Sequence, residues 1–135
     1  MTAQAEVLLP GPAVRAQGLA LTGPISFWGG VDPKTGAIAD PRHPEHGVDI
    51  AGRVLMIPAT VGSSSASAIL LELVHARCAP AAIVMHEPDA ILLLGLVVAR
   101  EMGLTTPIAL RLDRGQFQQF HEQAVTVSEG GQLTA

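Results

Sequence analysis

The stretch Val54-Leu-Met-Ile-Pro-Ala-Thr-Val-Gly-Ser-Ser-Ser-Ala-Ser-Ala-Ile-Leu-Leu-Glu-Leu-Val74 changes its hydrophobic pattern within a few residues. It starts with four apolar residues before Pro58, as a buried strand does. A glycine and three serines follow, and apolar residues then recur at helical spacing, at Ile69, Leu70, Leu73 and Val74. The stretch therefore predicts a buried strand, a turn that contains Gly62, and a helix that begins within residues 63–65.

The rest of the chain also alternates between strand-like and helix-like segments. The pattern predicts helices over 64–77, 88–102 and 114–122, and strands over 5–9, 13–21, 24–28, 53–57, 81–85, 107–110 and, as the last one, 124–127. Alternating strands and helices imply a parallel or mixed sheet with right-handed crossovers. Pairs of Gly and Pro divide the first half into short β-like pieces. We therefore expect an α/β fold in one compact domain, residues 1–135, with a β-rich first half and a strand–helix–strand second half.

The composition excludes several classes of protein. Of 135 residues, 48% are hydrophobic and 3% aromatic, and the formal net charge is −4. Such a chain lacks the excess of basic residues with which proteins bind nucleic acids, so no nucleic-acid partner is expected. The longest apolar run is about half the ~20 residues of a membrane span, and the chain does not start with a basic signal segment. These features predict a cytoplasmic protein with no membrane partner. Charged residues make up 15%, against about 25% in typical domains, so we expect another chain to cover part of the surface.

Metal-binding chemistry is not predicted for this chain. Cys78 is its only cysteine, which rules out an internal disulfide and a cysteine cluster for zinc or iron–sulfur. His43 and His46 lie near Asp40 and Glu45 in the sequence. Two histidines in a loop broken by prolines define no fixed ligand geometry. We interpret this loop as a rigid segment that bonds its own backbone or contacts a partner.

The serines at the start of the predicted helix could have either of two roles. One hydroxyl can cap the first turn. The others, together with free N–H groups and about half a positive charge from the helix dipole, can hold an anion. The turn lacks the Gly-Lys-[Ser/Thr] ending of a phosphate loop and the Gly-x-Ser-x-Gly of a nucleophile elbow. Arg42 and Arg53 precede the turn, and either could pair with a substrate carboxylate. The alternative role of the serines is a simple helix cap, and the alternative role of the two arginines is an ordinary salt bridge.

Four segments of the chain form an ordered series of motifs: Ile25-Ser-Phe-Trp-Gly-Gly-Val-Asp-Pro-Lys-Thr-Gly36, His43-Pro-Glu-His-Gly47, Gly52-Arg-Val-Leu55 and Gly62-Ser-Ser64. Together they resemble the small subunit of aconitase X proteins. The resemblance runs from about residue 24 to 107. It implies a swivelling β/β/α domain that acts as the small subunit of a hydro-lyase and is active only with its large subunit. The iron or iron–sulfur centre is expected on the large subunit, with no cofactor bound by this chain.

The resemblance also implies roles for residues of the serine turn. Ser63 matches the serine base of the mobile domain of aconitase best, with Ser64 as the next candidate. Gly62 and Ser64 are expected to bind substrate. Arg53, a candidate from the residue pattern and not from the resemblance, is the third expected substrate-binding residue. The aconitase turn reads Gly-Ser-Ser-Arg, whereas Ser65 stands at the fourth position here. The arginine that grips a carboxylate is therefore missing, and a tricarboxylate substrate is not expected.

The expected substrate is a small hydroxy acid. Cis-3-hydroxy-L-proline, dehydrated to a pyrroline-2-carboxylate, is the bacterial activity of the family, and a mevalonate phosphate is the archaeal one. Three alternatives have other functions: a phosphohistidine-type swivelling domain, a non-catalytic interaction module and a serine esterase. The first needs a histidine in the turn, but residues 63–68 contain none. The esterase needs a His–Asp pair, which has no recognisable arrangement here. The roles of Asp32, Lys34, Arg42 and His46 stay open.

Overall fold

Eight strands pair in one order within residues 1–62 and 64–135, which the computed structural model describes. The strands are β1 (Thr2–Gln4), β2 (Glu6–Leu9), β3 (Val14–Ala20), β4 (Val54–Ile57), β5 (Ala82–Met85), β6 (Ile108–Arg111), β7 (Ala124–Val127) and β8 (Gln132–Thr134). The helical elements are α2 (Ala66–His75), α3 (Ala90–Glu101) and a short irregular turn, α1 (Phe27–Gly30), in which Trp28 and Gly29 have non-helical backbone angles. The strand order is β1-β8-β7-β3-β4-β5-β6-β2. Strands β3 to β6 run parallel to one another, and the other pairs are antiparallel.

The sheet folds back on itself at β3. Residues 14–17 of this strand pair with β7, whereas residues 18–20 pair with β4. The bend lies at Gly18, where a Cβ atom would be 2.1 Å from the carbonyl oxygen of Phe120, so a side chain does not fit. Strands β1 and β2 are at opposite ends of the strand order, yet Ala5 alone separates them in the sequence. The two halves of the sheet must therefore face each other.

Alternate side chains of the parallel strands enter two separate cores, as the two-residue period of a strand requires. Val54 and Met56 of β4 join the core between the two halves of the sheet. Leu55 and Ile57 face the other way, toward α2 and α3. The result is three layers, sheet on sheet on helices, with the crossovers β4–α2–β5 and β5–α3–β6 forming the helical layer. The expected α/β architecture is confirmed.

Helices α2 and α3 approach each other most closely at Gly95. A Cβ atom there would lie 2.5 Å from the backbone oxygen of Ser67. We expect Gly95→Ala to push the helices apart and to lower the free energy of unfolding by about 1–3 kcal/mol. Gly130→Ala is the matched control, because its Cβ would have only the Ser128 hydroxyl near it, at 3.9 Å. Urea titration of both variants measures the two free energies of unfolding. Equal unfolding midpoints for Gly95→Ala and Gly130→Ala would contradict the prediction.

Some predicted elements differ from the structure. Residues 24–28 do not form a strand: Ile25 makes one bridge to Thr60, and α1 follows. The helix predicted over 114–122 is two 3-10 turns, Arg114–Gln116 and Gln118–Phe120, and this segment buries Phe117 and Phe120 in the core between the sheet halves. Strand β7 is not the last one. Strands β1 and β8 have three residues each, of which only Ala3 and Leu133 are buried, too few to show an alternating pattern.

Candidate functional site

The serine turn follows β4 at the carboxyl edge of the parallel strands. Ligands of open α/β sheets bind at this edge. Gly62 and Ser64 are exposed there, and a Cβ at Gly62 would meet nothing within 4 Å. Ser63, the predicted base, lies outside the described residues, so its assignment stays a prediction. Ser65 is the N-cap of α2, and no acidic side chain occupies the described first turn of that helix. The positive end of the α2 dipole therefore faces the turn.

A backbone bridge holds the segment that leads into the turn. The N–H of Val61 donates to the carbonyl of Ile25 at 2.9 Å, and the N–H of Ile25 donates to the carbonyl of Ala59 at 3.1 Å. Ile25 is buried in the core beneath the helices. The bridge therefore fixes the residue just before Gly62 to the first of the four recognised motifs.

The carboxylate of Asp89 ties the same segment to α3. Its Oδ2 accepts a hydrogen bond from Thr60 Oγ1 at 2.8 Å. Its Oδ1 accepts from the N–H groups of Ile91 and Leu92, at 2.9 and 3.1 Å, and so caps α3. Asp89 thus connects the approach to the serine turn with the start of the neighbouring helix. The sequence pattern indicated a helix start near Asp89 but contained no sign of the bond to Thr60.

An open cleft of about 440 Å³ lies beside the turn, with Val61 as the wall that connects them. Its other lining residues are Pro24, Ser26, Trp28, Gly29, Gly30, Asp40, Pro41 and Arg42. The side chain of Arg42 is 93% exposed, and its Nε lies 3.8 Å from Asp40 Oδ1. Trp28 is 58% exposed, although its neighbour Phe27 is buried. The structure therefore brings together a cation, an aromatic side chain and the serine turn, which the sequence analysis treated as separate segments.

Other polar residues of the long loop maintain its shape. His43 is buried, with its Nδ1 accepting from the Glu45 N–H at 3.0 Å and its Nε2 lying 3.3 Å from the Gly23 carbonyl. The Glu45 carboxylate accepts from the N–H and hydroxyl of Thr22, at 2.6 and 2.9 Å. The Asp32 carboxylate accepts from the Lys34 N–H at 2.9 Å, which closes a tight turn. These contacts hold the loop, including the Arg42 segment, in one conformation.

Arg53 is not brought to the serine turn. It immediately precedes β4, whereas Gly62 and Ser64 follow the strand's other end. Four strand residues span about 13 Å at ~3.3 Å per residue. The Arg53 carbonyl accepts from the Ala81 N–H at 2.8 Å, and the side-chain Nη1 is buried without a hydrogen-bond partner among the described residues. The substrate-binding role predicted for Arg53 has no geometric support, so we leave this residue out of the site proposed below.

The described residues hold neither a cluster of metal ligands nor a membrane-spanning helix. Across 1–62 and 64–135, no three or more His, Cys, Asp or Glu side chains converge as a metal site would require. Cys78 is half-buried, with its Sγ 3.4 Å from the Lys34 carbonyl. None of the helices in this part of the chain combines the length and the apolar character of a membrane span.

Comparison with known proteins identifies similar chains. Residues 2–134 match the family model of the aconitase X swivel domain. The cis-3-hydroxy-L-proline dehydratase of Pseudomonas aeruginosa is 50% identical over 86 residues, which are 63% of this chain and 15% of that protein. The phosphomevalonate dehydratase small subunit of Methanopyrus kandleri is 44% identical over 85 residues, 63% of each chain. This chain therefore spans less than two thirds of the length of either curated relative.

A solved structure has the same fold. The crystal structure of the holo form of Thermococcus kodakaraensis aconitase X superimposes with a TM-score of 0.85 and covers 98% of this chain and 96% of the matched chain. The sequence identity is 24%. At that identity the likeness establishes the three-layer fold.

Proposed function

Because this chain belongs to the aconitase X swivel-domain family, matching its model over residues 2–134, we propose that it is the small subunit of a hydro-lyase. The observation that carries the proposal is that two relatives, at 50% and 44% identity, act on different substrates but are both named dehydratases. Dehydration is what they share. The active complex needs a large subunit, as the name of the second relative implies.

The proposed substrate is cis-3-hydroxy-L-proline, and the more similar of these two relatives supports it. A base removes the proton from the carbon that carries the carboxylate, and the hydroxyl leaves the neighbouring carbon with a proton as water. A carbon–carbon double bond forms, and the resulting enamine tautomerises to a pyrroline-2-carboxylate. A phosphorylated mevalonate is the second candidate. It is favoured by the M. kandleri relative, which is a separate small subunit rather than part of a much longer chain.

We propose Ser63 as the base. A serine hydroxyl must be ionised to accept a proton, so its surroundings must stabilise an alkoxide. The dipole of the ten-residue helix α2, which begins at Ala66, supplies positive potential at the turn. Closure of the large subunit over the turn would exclude water and strengthen this effect. Gly62 and Ser64, both exposed at the same edge, form the adjoining part of the substrate site.

The substrate carboxylate is proposed to bind Arg42. The fourth residue of the turn, Ser65, cannot replace the arginine of the aconitase turn. Arg42 lies on the cleft that Val61 joins to the turn, and its side chain is 93% exposed there beside Asp40. A guanidinium can bind a carboxylate through two parallel hydrogen bonds. The cleft therefore provides the cation that the turn lacks.

The described residues of this chain do not fit an iron or iron–sulfur centre. They contain no converging set of three metal-binding side chains, and the single cysteine contacts a backbone carbonyl. We propose that the centre belongs to the large subunit, where it would activate the leaving hydroxyl. The residues of this chain then position the substrate and accept its proton.

Thr60 is proposed as a positioning residue for the turn. We expect Thr60→Val to lower kcat of the assembled complex about tenfold with KM unchanged, because one charge-assisted hydrogen bond is worth about 1.5–3 kcal/mol. Thr60→Ser keeps the hydroxyl that Asp89 accepts and is expected to retain kcat. Steady-state kinetics of both variants provide the measurement. Equal loss in both variants would show that the methyl packing, and not the hydrogen bond, is what matters.

A further inference from the structure

One helix of this small chain presents apolar side chains to solvent. Five large hydrophobic residues of α3 and its C-cap are at least 40% exposed: Ile91, Leu94, Val97, Val98 and Met102. Positions 91, 94, 98 and 102 lie along one stripe of a helix, and 97 lies beside it. No residue from 90 to 99 carries a charge. We call these five residues the α3 outer face.

The α3 outer face continues into a groove between the two long helices. Leu94, Gly95 and Val98 line one wall, and Ser67, Ala68 and Leu71 of α2 line the other. Because both helices cross between parallel strands, they run in the same direction, and both begin at the carboxyl edge of the sheet. The α2 wall therefore starts at Ser67, just past the serine turn.

The face also reaches the turn along α3. Ile91 is two residues beyond Asp89, whose carboxylate binds Thr60. Val61, the residue after Thr60, is 58% exposed and lines the cleft together with Trp28. The α3 outer face thus ends beside the Thr60–Asp89 pair, which adjoins the mouth of the proposed substrate site.

The area of the face is enough to hold a partner chain. The exposed parts of its five side chains amount to roughly 400 Å², a sizeable apolar patch for a monomer. A stable interface buries about 800 Å² on each partner, and somewhat more than half of such an area is apolar. The face therefore supplies most of the apolar area that one stable partner covers. Its Ile91 end lies next to the Thr60–Asp89 pair, so the chain that reaches the serine turn is placed to cover it.

We infer that the α3 outer face is the surface through which this chain is held on the large subunit of the hydro-lyase, an inference that rests on the function proposed above. The partner's matching surface is apolar, since a charge placed against residues 90–99 would be buried without a counter-charge. An apolar attachment along α3 leaves the polar cleft free to open and close while the two chains stay together. The same partner is the one that must close over the serine turn.

The test uses the full chain and the aconitase X large subunit of the same organism. Leu94→Lys/Val98→Lys places two charges in the face, and we expect its Kd for the large subunit, measured by calorimetry, to rise at least 100-fold. At saturating large subunit kcat should stay near wild type, because no residue of the cleft is altered. Gln17→Lys/Gln132→Lys adds the same charge at exposed positions of the sheet layer farther from α3 and should leave Kd unchanged. Met102→Lys is a second face variant. Its added positive charge lies at the C-terminal end of α3, where the helix dipole favours a cation.

Three outcomes would overturn the inference. In the first, the wild type binds the large subunit, and the folded face variants bind equally well. In the second, sedimentation shows a dimer of the chain alone that Leu94→Lys/Val98→Lys dissociates, with large-subunit affinity unchanged; a second copy then covers the face. In the third, the wild type itself does not bind the large subunit, and that result removes the proposed function together with the docking surface.

Discussion

Ser63→Ala is expected to lower kcat of the assembled complex by about a hundred- to ten-thousandfold, the usual contribution of a positioned acid or base. The variant removes the oxygen that we propose accepts the substrate proton. KM and the affinity for the large subunit should change little, because the α3 outer face and Arg42 are untouched. Stopped assays of pyrroline-2-carboxylate formation, with both subunits at saturating concentration, measure the effect.

Ser67→Ala is the matched control for this prediction. It removes another serine hydroxyl from the start of α2, one that donates to the Ser64 carbonyl at 3.3 Å. We expect its kcat to stay within about fivefold of wild type, since a hydrogen bond between uncharged groups contributes about 1 kcal/mol. If Ser63→Ala turned over like the control and Ser64→Ala were inactive, the base would be the second serine of the turn.

Arg42→Ala is expected to raise KM for cis-3-hydroxy-L-proline by about 10- to 150-fold, because a hydrogen-bonded charge contributes about 1.5–3 kcal/mol. The substrate carboxylate would lose its cation, while the serine base keeps its position. Arg42→Lys retains the charge but not the paired hydrogen bonds, so an intermediate KM is expected. Initial rates over a range of substrate concentrations separate KM from kcat.

Arg15→Ala controls for the loss of one positive charge. This arginine is exposed on β3, where the strand pairs with β7 at Thr126. Its removal should leave KM unchanged in the assembled complex. If Arg42→Ala had a wild-type KM, the substrate carboxylate would have to bind elsewhere, and the cleft beside Val61 would lose its proposed role.

The local elements of the fold could be predicted because their signals are contiguous in the sequence. Four apolar residues before Pro58 mark β4, and the helical spacing from Ile69 marks α2. The helix predicted to begin within 63–65 begins at Ala66. The short strands β1 and β8 escaped prediction because each buries one side chain, so no alternation shows.

The geometry of the site depends on long-range contacts that no local pattern encodes. Thr60 meets Asp89 across 29 positions, and Val61 shares a cleft with Trp28 and Arg42. Of these residues only Trp28 lies within one of the four motifs of the resemblance, and no local pattern indicated the contacts. Arg53 shows the opposite case. It is near the turn in sequence, yet it lies at the start of β4, whereas the turn follows the end of that strand.

The central claim is that the active site forms only when this chain meets its large subunit. The most direct test is anaerobic turnover of cis-3-hydroxy-L-proline with iron present, measured for the two chains together and for each chain alone. We predict pyrroline-2-carboxylate only from the mixture, at a rate that saturates as this chain is titrated into the large subunit. Equal turnover by the large subunit alone would contradict the claim.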